Sequence, residues 1–133
     1  MYRNTEPHDG FGILRRWIEA SPLGGAVFTS NVDGHFQKAG FDEGLLLECH
    51  GSIHHLQCQA RCPSGIWSAQ TVQPDVDLDH CLLRGLPPSC PHCGGLARPS
   101  ILMFDAWIDP TASLKNPAIK SRLCPEAFDI SIA

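Results

Sequence analysis

Four cysteines in two close pairs, Cys58/Cys62 and Cys90/Cys93, constrain this chain more than any other feature. The second pair lies in the run Cys90-Pro91-His92-Cys93-Gly94-Gly95. Thiolates two or three residues apart can face one cation, and the glycines behind the second pair let the backbone wrap around it. Together the pairs offer four sulfur ligands, the closed tetrahedral set that structural zinc prefers. The spacing departs from the commonest ribbon, because the first pair is Cys-x3-Cys and residues 63–89 separate the pairs. Four unconnected buried thiols are the alternative. The expectation is a structural Zn2+ held by Cys58, Cys62, Cys90 and Cys93 in the middle of the chain.

At 133 residues the chain suits one domain or a part of one. Its hydrophobic fraction of 43% can build a core, yet no apolar run reaches the length of a membrane span. No basic-then-apolar leader opens it. The cysteine count is seven, an odd number, so close pairs read as metal ligands in a reducing compartment, and a cytoplasmic location is expected. The net charge of −4, without a basic cluster, argues against a nucleic-acid partner. Glycine (12) and proline (11) are frequent enough for a loop-rich fold in which a metal supplements a small core.

Residues 8–20 carry Phe11, Leu14 and Ile18 on one side and Arg15, Arg16 and Glu19 on the other, which predicts an amphipathic helix ended by Pro22. Ala26 to Thr29 and Leu45 to Glu48 are short apolar runs that read as buried parallel strands. Gly34 to Ala39 predicts a short helix, and Ile53 to Leu56 an extended piece leading into the first cysteine pair. Residues 63–89, with four prolines and little periodicity, read as loop. Ile101 to Phe104 reads as a further strand. The alternation predicts an α/β fold: a partial Rossmann-like parallel sheet with an inserted zinc-ribbon module. The expected division is a nucleotide-binding segment over 1–57, the zinc module over 58–97, and a substrate-strand segment with an unassigned tail over 98–133.

Two polar stretches follow the apolar runs. Thr29-Ser30-Asn31-Val32-Asp33-Gly34 would emerge at the carboxyl end of the first strand, where ligands bind in open α/β sheets. The amide of Asn31 and the carboxylate of Asp33 suit an uncharged amide or a ribose hydroxyl, although such a loop can equally be a turn or a helix cap. Glu48-Cys49-His50-Gly51-Ser52 stands at the end of the second strand. His50 there is either a general base exposed at the strand end or a structural histidine bonded to backbone.

In serial order, Thr29-Ser30-Asn31-Val32-Asp33-Gly34, Ala39-Gly40, Glu48-Cys49-His50-Gly51-Ser52, the two cysteine pairs, Cys90-Pro91-His92-Cys93-Gly94-Gly95, Arg98-Pro99 and Phe104 resemble the sirtuins, NAD-dependent protein deacylases. The resemblance runs from Thr5 to Trp107. It implies that His50 is the base that deprotonates a ribose hydroxyl after the acyl-lysine oxygen has attacked the ribose carbon bearing nicotinamide. It also implies that Ser30, Asn31 and Asp33 contact NAD, that the cysteines hold structural zinc, and that Ile101 to Phe104 pairs with the backbone of an acyl-lysine peptide.

Some positions depart from the family pattern. Ser30 stands where glutamine is usual, and Asp105-Ala106-Trp107 follows Phe104 in place of a glycine. No Gly-Ala-Gly-x-Ser phosphate loop occurs in these residues, so this chain by itself is expected to bind NAD weakly and turn over little. The alternative function is a non-catalytic zinc module that binds a protein. Trp17, Trp67 and Trp107 are expected to pack in the core or under loops. Cys49, Cys81 and Cys124 read as buried or incidental thiols, with Cys81, beside His80, an alternative ligand. His54, His55 and His92 read as packing or surface residues.

Overall fold

The computed structural model describes residues 2–103. The expectations for Phe104, Trp107, Cys124 and the tail over 108–133 lie outside the described residues. Helix α1 spans Asp9–Ala20, as its periodicity predicts. The ring nitrogen Nδ1 of His8 accepts from the Gly10 amide at 3.1 Å and caps one otherwise unpartnered donor of the first turn. Arg15 and Glu19 pair at 3.2 Å on the exposed side. Of the apolar stripe, Phe11 is buried, but Leu14 is half-exposed and Trp17 is 69% exposed, contrary to its expected place in the core. Phe11 packs edge-on against Phe36 at 4.9 Å and His35 at 5.8 Å, and Phe36 against Phe41 at 5.0 Å.

Strand β1 (Val27–Thr29) pairs in parallel with β2 (Leu46–Glu48), with Thr29 opposite Glu48. Between them lies the short helix α2 (His35–Lys38). The parallel pairing agrees with the expectation, whereas the burial does not: Phe28 is 63% exposed. A parallel strand is buried only when something covers both faces, and among the described residues nothing covers this side of β1. The expected mixed α/β architecture with a parallel sheet is present.

The larger sheet is antiparallel. Its central strand β3 (Gly51–Cys58) lies between β4 (Ile66–Ser68) and a strand at Ala97–Ile101, in the order β4, β3, Ala97–Ile101. The sequence placed that last strand at residues 101–104; pairing begins earlier, because Cys58 is registered with Ala97 and Gln57 with Arg98. Gln57 and Ser100 are both buried, and the Ser100 hydroxyl donates to Gln57 Oε1 at 3.2 Å, so the two polar groups satisfy each other.

Residues 63–89 are not all loop either. Besides β4 they form the hairpin β5 (Asp75–Asp77) and β6 (Leu82–Arg84), after which Ala97–Ile101 is numbered β7. These strands are three residues long, too short to show alternation. Local polar bonds define them: Asp77 Oδ2 accepts from Arg84 at 2.9 Å and lies 3.2 Å from His80 Nδ1. The Arg84 guanidinium, with the backbone amide and ring of His80, holds the Asp77 carboxyl below the usual carboxylate range.

One side chain ties the N-terminal turn to the large sheet. The Arg3 guanidinium donates to Ile53 O at 2.7 and 3.2 Å, to Ala69 O at 2.8 Å and to Val72 O at 3.1 Å. Lys38 Nζ in turn donates to Arg3 O at 2.6 Å and Thr5 O at 2.8 Å. Removing a charged donor that serves three part-buried carbonyls is costly. Arg3→Ala is expected to lower unfolding stability by about 2–3 kcal/mol in urea titration. Arg3→Lys should recover only part of that, because a point charge cannot serve three divergent carbonyls. A midpoint unchanged by Arg3→Ala would show that the clamp is incidental.

Candidate metal centre and strand-end site

The four cysteine sulfurs come together although two sequence-distant stretches carry them. Their Sγ atoms all lie within 4.8 Å of one another. The short contacts link the two pairs: Cys58 to Cys93 at 3.6 Å and Cys62 to Cys90 at 3.5 Å. Zinc–sulfur bonds of about 2.3 Å place tetrahedral ligands about 3.8 Å apart, so the group lies close to the set that zinc requires. Cys58 and Cys90 are buried, Cys62 is half-buried and Cys93 is exposed. A tight turn builds the second knuckle, with Gly94 N donating to Cys90 O at 2.9 Å and Cys90 N to Gly95 O at 2.7 Å. Gly94 sits at φ 71°, which favours glycine there. In the longer first knuckle Arg61 takes that role at φ 55°.

The backbone prepares these sulfurs for a cation. The Cys62 amide lowers the Cys58 thiol. Burial pushes the Cys90 thiol up, but the amides of Cys93 and His92 and the Ser64 hydroxyl outweigh it and bring it down to about 6. At Cys93 the Gly95 amide acts downward, while the neighbouring thiols of Cys58, Cys62 and Cys90 push the group up to about 11. Four thiolates cannot crowd together without a positive charge among them. Cys81 is exposed and outside the four-sulfur group, which removes it as an alternative ligand.

The polar stretches meet at the carboxyl ends of β1 and β2. Because Thr29 faces Glu48 in the parallel register, Ser30 and Asn31 leave the sheet beside Cys49 and His50. Cys49 N donates to Thr29 O at 2.9 Å and Ile53 N to Val32 O at 2.9 Å, closing the two turns against each other. His50, Ser30 and Asn31 are exposed, and Asp33 is half-buried. Asp33 Oδ1 accepts from the His35 amide at 3.0 Å, and Oδ2 lies 3.7 Å from His35 Nδ1. Asp33 thus holds the first amide of α2. The main chain of His50 is also engaged, since Leu102 N donates to His50 O at 2.9 Å.

Sequence reasoning gave no role here to two supports of this strand-end site, His54 and Gln37. His54 Nε2 donates to Asp33 O at 2.9 Å, and a Cβ on Gly34 would stand 2.6 Å from that nitrogen. Gly34, at φ 73°, is therefore required for both its conformation and its lack of a side chain. Half-buried Gln37 donates to Glu48, whose carboxyl burial pushes up despite that bond. β3 is irregular between Ser52 and Leu56, so no alternation singles out His54, and nothing in the sequence points to Gln37. Among the described residues, no helix is long and apolar enough to cross a membrane.

Metal removal is expected to unfold the module. Chelation should lower the thermal midpoint by on the order of 10–20 °C, with recovery on adding zinc, and metal analysis should find about one zinc per chain. A metal-free chain with an unchanged cooperative transition would overturn the quartet. Glu48 gives a separate pH effect. Its folded pKa is raised, so its contribution is complete below the ordinary value of 4.5 and is lost as pH rises through the folded value. Glu48→Gln should therefore gain on the parent chain in urea midpoint between about pH 4 and about pH 7. An equal difference at both values would contradict this.

A model of the Sir2 family matches residues 1–119. The NAD-dependent protein deacylase of Aeropyrum pernix is 34% identical over 106 residues, covering 79% of this chain and 37% of that protein. NAD-dependent protein deacylase 2 of Pseudomonas syringae pv. tomato is 38% identical over 86 residues, covering 65% of this chain and 31% of that protein. A solved structure of Sir2 with a p53 peptide and NAD+ is 27% identical, with a TM-score of 0.55 over 78% of this chain and 39% of that one. A Sir2 homologue complexed with ADP ribose, 23% identical, shows the same fold at a TM-score of 0.59 over 84% of this chain. The chain spans about two fifths of the length of such relatives. With its parallel strand pair, antiparallel sheet and four-sulfur group, this chain belongs to the Sir2 family.

Proposed function

We propose that these residues form the base-and-zinc portion of a sirtuin-type NAD-dependent protein-lysine deacylase, a transferase that moves an acyl group from lysine to the NAD ribose. The observation that carries this reading is the register of Thr29 with Glu48, which brings Asn31 and exposed His50 to one edge of the parallel pair. Exposed amide and hydroxyl side chains beside an imidazole suit the uncharged face of a nucleotide. Ser30, Asn31 and Asp33 would hold the nicotinamide-and-ribose side of NAD. When bound, NAD supplies the ribose carbon that accepts the acyl oxygen as nicotinamide leaves.

The chain's own residues divide the remaining work. The His50 imidazole takes the proton of a ribose hydroxyl, a task open to an exposed ring nitrogen at the strand end. Asn31 orients the nicotinamide-side groups, and Asp33, anchored by the His35 amide, fixes the loop that carries Asn31. The acyl-lysine substrate would lie along β7, an edge strand of its sheet, and along exposed Leu102 and Met103, which continue from it. Cys58, Cys62, Cys90 and Cys93 would ligate a structural zinc remote from the reaction. The division into 1–57, 58–97 and 98–133 follows these roles. Free thiols in metal-ligand pairs favour the cytoplasm. A net charge of −4 offers no nucleic-acid footprint.

Nicotinamide release decides the matter. The zinc-loaded chain, given NAD and an acetyl-lysine peptide, is expected to release nicotinamide slowly, with weak saturation by NAD. His50→Ala should lower that rate by about 10²-fold or more, with zinc content and folding intact. Release that persists in His50→Ala refutes the role of the imidazole. A folded, zinc-loaded chain that neither binds NAD nor releases nicotinamide would leave a zinc module acting through protein contacts.

A further inference from the structure

A hydroxyl stands over one edge of the sulfur group. Ser64 Oγ lies 3.4 Å from Cys62 Sγ and 3.5 Å from Cys90 Sγ, and those two sulfurs are 3.5 Å apart. The three atoms form a nearly equilateral triangle whose sulfur corners come from different knuckles. The first knuckle's own backbone sets this position. Pro63 follows Cys62 directly, and Ser64 N donates to Cys62 O at 2.8 Å, which turns the chain back over the sulfurs. Gly65, at φ 65°, then leads away into β4. Ser64 is half-buried, so water competes only partly for its hydroxyl.

A thiolate bound to a metal can accept a hydrogen bond but cannot donate one. In a loaded centre the single hydroxyl hydrogen of Ser64 must therefore point at sulfur, and rotation about its C–O bond lets it serve either Cys62 or Cys90. Four thiolates around one divalent cation carry a surplus of two negative charges. A donor shared by two of them draws off part of that surplus and joins the two knuckles at the same point. Outer partners of this kind commonly set how tightly a metal is held.

We propose that Ser64 is a positioning residue of the metal centre, its hydroxyl bridging the Cys62 and Cys90 thiolates and strengthening zinc retention. This rests on the four-cysteine zinc reading, and the test separates the two. The parent chain, Ser64→Ala and Ser64→Thr are each titrated with zinc against a chromophoric chelator, then loaded with Co2+ for absorption spectroscopy. The alanine variant keeps the backbone amide, so the turn is expected to persist. Ser64→Ala should weaken zinc binding by about tenfold, and Ser64→Thr, which keeps the hydroxyl, should stay within about threefold of the parent. The thiolate-to-cobalt charge-transfer band should move to lower energy in the alanine variant alone, because unbonded thiolates are more electron-rich. Parental affinity and an unmoved band in Ser64→Ala would overturn the role of Ser64, as would equal losses in both variants. A parent chain that takes up no zinc would overturn the quartet and this role together.

Discussion

The convergence of four sulfurs on one point is the constraint from which the arrangement of the chain follows. Cys58 ends β3, and the second knuckle runs through Cys93 and Gly95 almost directly into β7. Bringing the sulfurs together thus places Cys58 opposite Ala97 and starts an antiparallel ladder. That ladder finishes at its other end with Gly51 opposite Ile101, next to His50. Because β3 is irregular between Ser52 and Leu56, the ladder is only as long as the five residues of β7, which puts the metal end about 13 Å from the turn that carries the candidate base. At that distance the cation cannot touch the reaction. It fixes which residues of β7 lie beside which residues of β3, and so where Leu102 meets the main chain of His50.

A second set of contacts joins that ladder to the parallel pair. The bond from Ile53 N to Val32 O and the one from His54 Nε2 to Asp33 O both cross from β3 to the loop after β1. The crossing works because Gly34 leaves room for the imidazole and tolerates a positive φ. Arg3 reinforces it from below, drawing Ile53, Ala69 and Val72 onto one guanidinium. These bonds tie the loop after β1, in the first sheet, to β3 of the second. His50 stands at the turn between them.

Exposure follows the same division. Around the sulfur group and along β3 the apolar residues Leu56, Cys58, Cys90 and Ala97 are closed off. On the α1 and β1 side, Trp17 and Phe28 face outward and form, with Phe36 and Phe41, a groove of about 380 Å³. Periodicity correctly reported α1 as amphipathic, but it could not report whether anything covers the stripe. That depends on neighbours beyond the helix itself.

The chain's letters alone determined what local chemistry determines. Cysteine spacing announced the ligand set, the helix signals bounded α1, and two short apolar runs marked β1 and β2. Serial motif order pointed to the family and to Ser30, Asn31, Asp33 and His50. Tertiary structure decided what depends on long-range pairing. It set the start of β7 at Ala97 and the hairpin inside residues 63–89, and it carried Trp17 to the surface. It also recruited Ser64, His54 and Gln37 around the sulfurs and the strand-end site. Three-residue strands carry too few side chains to show a period, and a polar residue reveals its partner only when the backbone brings the two together. Those choices belong to contacts between distant segments, which no window along the sequence contains.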